Sequence, residues 1–366
     1  MWFRRMVLEE WFDEYQYAVD YDIGESAVKY LTMEEVGVDL GNLPLRYGHH
    51  MGRPDLREVI AQQYPGLSGE QILVTQGCSE AIFIVMMALL KPGDQVVVEQ
   101  PNYPSLYEIP RGLNCDVVEW ELRHDQQFRP SPEELPQLVT PETKLVVLTH
   151  PNNPTGSMIT QDEMNAIVEF VESNGLYLVF DETYRELDFT GSLAPAATLS
   201  PRVVSVSSMS KCYGLPGIRT GWVATQDSAL IDRILAVREQ VTITNNAISE
   251  EIAFQVLQSK EEFLEKAREH VARNRELVVS WMASNTLVEW VCPEAGVVCL
   301  PRLRESIQMD PERLYRRLAE RYRTFVVPGR CFEMDNRYFR LGFGAHTEEI
   351  RIGLNNLQKA LDDLRS

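Results

Sequence analysis

Short aliphatic runs alternate along the chain with longer stretches that mix apolar and charged residues, and this alternation predicts an α/β protein. Leu73-Val74-Thr75 reads as a strand that passes through Gly77 into an apolar helix ending near Leu90. Gln95 to Glu99, Leu145 to Leu148 and Leu176 to Phe180 read as further strands, apolar enough to be buried in a parallel sheet. The later chain has another texture: strand-like Gly296 to Leu300, Phe325 to Val327 and Tyr338 to Leu341 are interspersed with helical Pro311 to Tyr322 and Thr347 to Leu364. A long, charge-rich helical stretch, Ser249 to Ser284, bridges the two parts. The pattern predicts a large domain over residues 41–268 holding the parallel sheet, and a smaller α+β domain built from residues 1–40 and 269–366.

Polar residues cluster where the predicted strands end. Ser208-Met209-Ser210-Lys211 is followed by the glycine-rich turn Gly214-Leu215-Pro216-Gly217 and by Arg219. A lone lysine there would read as a solvated loop residue. The whole string suits a Schiff-base lysine beside a bound phosphate, which is the pair of demands made by pyridoxal phosphate. Asp181 closes the strand Leu176 to Phe180, at the sheet end where α/β proteins bind ligands, and Tyr184 follows three residues on. By itself Asp-x-x-Tyr is an ordinary turn. His150-Pro151-Asn152-Asn153-Pro154-Thr155-Gly156 is a rigid loop after another strand. Gly77-Cys78-Ser79 opens a helix whose unpaired N–H groups offer an anion site, and Tyr103 follows the strand Gln95 to Glu99.

Taken together, and in this order and spacing, these segments resemble the aspartate-aminotransferase superfamily, the fold-type I, class I/II pyridoxal-phosphate enzymes, over nearly the whole chain. The resemblance implies a large domain with a mostly parallel seven-stranded sheet between helices, plus a smaller α+β domain. It implies Lys211 as the Schiff-base lysine and later the general base, and Asp181 as the partner of the pyridine nitrogen. Asn153 and Tyr184 would reach the ring's phenolic oxygen, and Tyr103 would stack on the ring. Gly77, Cys78, Ser79, Ser208 and Arg219 would form the phosphate cup. Tyr47 matches a tyrosine that crosses to the neighbouring subunit's phosphate, so a homodimer is implied, with Thr244 as a possible second crossing contact. Arg340, within Tyr338-Phe339-Arg340-Leu341-Gly342-Phe343, would grip the substrate α-carboxylate, with Asn153 and Gly24 beside it.

Two departures bear on substrate. His150 stands where many relatives have asparagine, and reads as a loop residue. No arginine stands at Gln240, where dicarboxylate-specific relatives would carry one, although Arg238 is near in sequence. The segments Leu8-Glu9-Glu10-Trp11 to Asp22-Ile23-Gly24-Glu25-Ser26 and Lys211-Cys212-Tyr213-Gly214 are also similar to the capreomycidine-synthase-like branch, which acts on a hydroxylated arginine. The expected activity is amino transfer from an α-amino acid to a 2-oxo acid. The alternative is a lyase, replacement enzyme or cyclase acting on an arginine-like amino acid. A regulator would need a DNA-binding domain, for which the chain has no room, and a degenerate homologue would lack Lys211 or Asp181.

Charge narrows the partners. The 366 residues carry 54 acidic and 35 basic side chains, a net charge of -19, which disfavours nucleic acid and anionic membranes. Met1-Trp2-Phe3-Arg4-Arg5 lacks the apolar stretch of a signal peptide and no run has transmembrane length, so a cytoplasmic enzyme is expected. The six cysteines form no close metal-ligand pair, and His49-His50 has no ligand partners nearby in sequence, so no metal is expected.

Overall fold

The computed structural model describes residues 2–189, 191 and 193–365. Its central sheet contains β1 (Ile72–Thr75), β2 (Gln95–Gln100), β3 (Asp116–Glu121), β4 (Thr143–Thr149), β5 (Tyr177–Asp181), β6 (Val203–Ser208) and β7 (Gly221–Ala224). Their spatial order is β1-β7-β6-β5-β4-β2-β3. Every neighbouring pair among β6, β5, β4, β2 and β3 is parallel, while β7 runs antiparallel to both β1 and β6.

Strand periodicity explains why the central strands are apolar throughout. Successive side chains point to opposite faces. Val96, Val98, Leu145, Val147 and Val179 enter one core with Ile82, Val85 and Met86 of helix α1 (Gly77–Leu89) and with Leu230, Ile231 and Ile234 of α2 (Ser228–Arg238). Their alternates Val97, Val146, Leu148, Leu178 and Phe180 enter a second core with Met164, Ile167 and Val171 of α3 (Gln161–Ser173). Helices on both faces keep the middles of these strands free of charged side chains. The candidate residues stand where the strands end.

The rest of the chain differs from the sequence reading in detail. The helical stretch from Ser249 to Ser284 consists of two helices, α4 (Ala247–Gln258) and α5 (Lys260–Ser284), broken at Ser259, whose φ/ψ of -117°/29° is not helical. The C-terminal helices α6 (Pro311–Tyr322) and α7 (Thr347–Arg365) run close to the predicted spans. Strand pairing in this part is sparser than the reading: β8 (Val298–Cys299) and β9 (Val327–Pro328) flank β10 (Phe339–Gly342), and Tyr21–Asp22 pairs with Thr324–Phe325.

The N-terminal helix Val7–Tyr15 buries Leu8, Trp11 and Tyr15, and the Trp11 indole N–H donates to the Val326 carbonyl at 2.9 Å. Its other edge, Glu9, Phe12 and Asp13, together with Gln16 just beyond, faces a cavity over the C-terminal ends of the parallel strands. The spacing i, i+3, i+4, i+7 is one helical face. Among the described residues, no helix is long and apolar enough to cross a membrane.

Candidate active site

The register of the parallel strands sets the floor of this cavity of about 420 Å³. Thr149 at the end of β4 lies opposite Asp181 at the end of β5, and Asp181 opposite Val206 of β6, so the carboxylate stands in the middle of the sheet edge. Asp181 is buried, and one carboxylate oxygen accepts the Thr183 backbone N–H at 2.9 Å. Burial pushes its carboxyl up to about 6, against the downward pull of the Thr183 hydrogen bonds. A proton donor aimed at it would reverse much of that shift.

Lys211 follows the end of β6 and lines the same cavity. Its Nζ donates to Glu25 Oε1 at 2.8 Å. Burial lowers the lysine's proton affinity, but Glu25 and then Tyr184 outweigh it, and the group is raised above its ordinary range. Burial pushes the Glu25 carboxyl the other way, upward, yet Lys211 and Arg340 pull it down to about 2. Tyr184, Asn153 and Ser208 are buried and Tyr103 is half-buried around this lysine. Arg340, from the middle of β10, is 1% exposed. Its Nε and one Nη donate to the Gly24 carbonyl at 3.0 and 2.8 Å, and the other Nη donates to Asn153 Oδ1 at 3.1 Å.

The N-terminus of α1 has no side-chain cap, and Cys78 and Ser79 of its first turn line the same cavity with Arg219 and Ser208. Two glycines clear the space. Gly77 has φ +76°, and a Cβ there would lie 2.6 Å from Arg219 Nη2. A Cβ on Gly221 would lie 2.8 Å from the Cys78 nitrogen. An open helix end beside an arginine, with every intruding side chain removed, is a cradle for a phosphate.

The family model for class I and II aminotransferases matches residues 23–357. The chain belongs to this family. A pyridoxal-phosphate-dependent aminotransferase from Streptococcus suis superposes on it with TM-score 0.94 at 30% identity, covering all of both chains. The pyridoxal-phosphate-dependent cyclase OrfR superposes with TM-score 0.92 at 32% identity, over 99% of this chain and 98% of the other. Capreomycidine synthase of Streptomyces vinaceus is 29% identical over 97% of this chain and 93% of its own length. The chain is thus a pyridoxal-phosphate-dependent aminotransferase in its family and cofactor.

The residues of this aminotransferase fit the cofactor. The cradle would hold the phosphate, Asp181 offers a buried carboxylate for the ring nitrogen, and Lys211 and Arg340 line the same cavity. Tyr47 and Thr244 lie elsewhere. Tyr47 is 83% exposed, on a surface groove with Arg53, Glu250 and Glu251. Gly24 meets the site through its carbonyl, which Arg340 occupies. Arg238 is engaged with the His50 and Ile243 carbonyls and with Asn245, and so is committed to holding the Val241–Asn245 loop. His150 is fully buried behind the cavity, with its Nε2 3.1 Å from Glu99 Oε2. The sequence reading assigned no part to Glu25, Glu9 or Phe12, which also line the cavity.

Proposed function

We propose that this aminotransferase moves the amino group of an α-amino acid to a 2-oxo acid, with Lys211 as covalent anchor and proton carrier. What supports the reading is the convergence of Lys211, Asp181 and the uncapped end of α1 on one cavity. When bound, pyridoxal phosphate supplies an aldehyde for the amino group and a ring that takes up the electron pair left at the α-carbon. The chain does the rest. Asp181 keeps a proton on the ring nitrogen, Asn153 and Tyr184 donate toward the ring oxygen, and Tyr103 packs on the ring face. Gly77, Cys78, Ser79, Ser208 and Arg219 hold the phosphate. Lys211 Nζ takes the α-proton and returns it two atoms away, on the far side of the amino nitrogen. Arg340 has five N–H donors and three are engaged within the chain, so two remain for the substrate α-carboxylate.

The substrate side chain in this reading is not a short dicarboxylate. Gln240 brings no cation, Arg238 is engaged, and Glu9, Asp13 and Glu25 make the cavity wall acidic. A lyase or cyclase acting on an arginine-like amino acid is the second reading, favoured by that acidic wall and by the likeness to OrfR and capreomycidine synthase. A panel of amino acids mixed with the holoenzyme separates the two. Amino transfer converts the cofactor to its aminated form and releases a 2-oxo acid; ammonia or water release without that conversion belongs to the second reading. Aspartate as the best donor would overturn the specificity claim. Arg340→Lys keeps the charge and loses the fork, so kcat/KM for the best donor should fall by about a hundredfold, the equivalent of one or two charge-assisted hydrogen bonds. The corresponding decarboxylated amine should be little affected. Equal losses for both would remove Arg340 from the carboxylate site.

The reading includes a cytoplasmic homodimer divided into domains at residues 41 and 268, the second boundary falling within α5. Exposed Leu45, Tyr47, Val241 and Ile243 support the dimer, since apolar side chains at 54–83% exposure mark a surface that a second copy would cover. Sedimentation should give a dimer. A fully active monomer would exclude any part for Tyr47 or Thr244 in a neighbouring site.

A further inference from the structure

Glu25 approaches Lys211 from a distant part of the chain, and its position does not depend on the lysine. Its backbone N–H and that of Gly24 both donate to Asp22 Oδ1 at 2.9 Å, and the Gly24 carbonyl is gripped by Arg340. The carboxylate itself accepts the Ser26 N–H on Oε1 at 2.8 Å and the Gln16 amide on Oε2 at 3.3 Å. The Lys211 ammonium is a further donor on an already oriented group.

Resting on the proposed function, we propose that Glu25 is a positioning residue for Lys211, the counter-ion that keeps the unattached lysine as an ammonium at the cofactor's place and so sets the pH at which it can bond to an aldehyde. Attachment needs the lone pair of a neutral amine: one proton leaves the ammonium, a C–N bond forms at the aldehyde carbon as the C–O bond breaks, and the oxygen departs as water with the two hydrogens left on Nζ. A carboxylate 2.8 Å away opposes that first loss. The other groups around the lysine do not replace it. Arg340 from β10 acts against the ammonium, Tyr184 after β5 favours it only when ionised, which its own burial opposes, and burial likewise disfavours the charge of Glu9 on the N-terminal helix. Around Glu25 itself stand Arg340, which also favours its charge, and Asp22 and Tyr30, both of which burial pushes upward, away from their charged forms.

The test uses the whole protein stripped of cofactor, mixed with pyridoxal phosphate over a range of pH. Attachment is followed by the visible band and by borohydride trapping on Lys211. Glu25→Gln should move the rate profile at least one unit toward lower pH and speed attachment about tenfold near neutral pH, and Glu25→Asp should stay close to wild type. Superimposable wild-type and Glu25→Gln profiles would overturn the role while leaving the proposed function standing. Failure of the wild-type protein to form the band would instead overturn the proposed function. If Glu25→Gln does not fold, by circular dichroism, Glu25→Ala takes its place with the same expectation: a shift toward lower pH fits the counter-ion, and a profile superimposable on wild type is against it.

Discussion

Replacing Lys211 with alanine is expected to give a folded protein that forms no borohydride-stable bond to its cofactor and does not turn over. Loss of the proton carrier alone is about a 10²- to 10⁴-fold effect, and loss of the covalent anchor adds to it. The variant also removes the cation nearest Glu25. That carboxyl is depressed from its ordinary 4.5 to about 2, so its contribution is complete above pH 4.5 and is lost as pH falls through 2. Lys211 and Arg340 share it, and the whole amounts to about 3 kcal/mol. The cofactor-free variant should therefore melt below wild type at neutral pH by part of that amount, and the gap should narrow in acid. Circular dichroism and thermal melts at pH 7 and pH 3 check the second claim. Peptide mapping of the borohydride-treated wild type checks the first: label on any lysine other than Lys211 would sink the assignment.

Much of the large sheet and the cofactor side of the cavity was legible in the sequence, for a local reason. A buried parallel strand is an apolar run, and the polar residue that ends it, Thr149 or Asp181, must be where the sheet meets a ligand or solvent. Each such residue therefore announces itself beside its own strand. The edge strand Asp116–Glu121, half of it exposed, the serine-interrupted Val203–Ser208 and the antiparallel Gly221–Ala224 carry no such run and were not read. The substrate side is different in kind. Glu25 lies 186 residues from Lys211, and Arg340 lies 316 from the Gly24 carbonyl that it grips. No local pattern encodes those meetings. The face Glu9, Phe12, Asp13 and Gln16 has helical spacing, but its polarity reads as solvent-exposed until the C-terminal strands are seen to pack beneath Trp11. Arg340 was readable only through resemblance, because an arginine in a short strand is otherwise an edge residue.

Asp181→Asn should push stability and activity in opposite directions. In the cofactor-free protein the carboxyl is raised from 3.8 to about 6, chiefly by burial. A raised carboxyl favours the folded state when protonated, so the penalty for holding it ionised is absent below pH 3.8, grows as pH rises to about 6, and is constant above. The difference amounts to about 3 kcal/mol, all of it borne by the folded protein near neutrality. Asparagine has nearly the same shape, keeps an oxygen for the Thr183 N–H and carries no charge. The cofactor-free variant should accordingly melt later than wild type at pH 7.5, by up to that amount, and with it near pH 4. Its turnover should fall by about a hundredfold or more, since a neutral amide cannot hold a proton on the ring nitrogen. Thermal melts at the two pH values and single-turnover rates with the best donor measure both arms. An Asp181→Asn enzyme with unaltered turnover would take the carboxylate away from the ring nitrogen, and an unchanged melting temperature at pH 7.5 would mean that its burial is already compensated inside the protein.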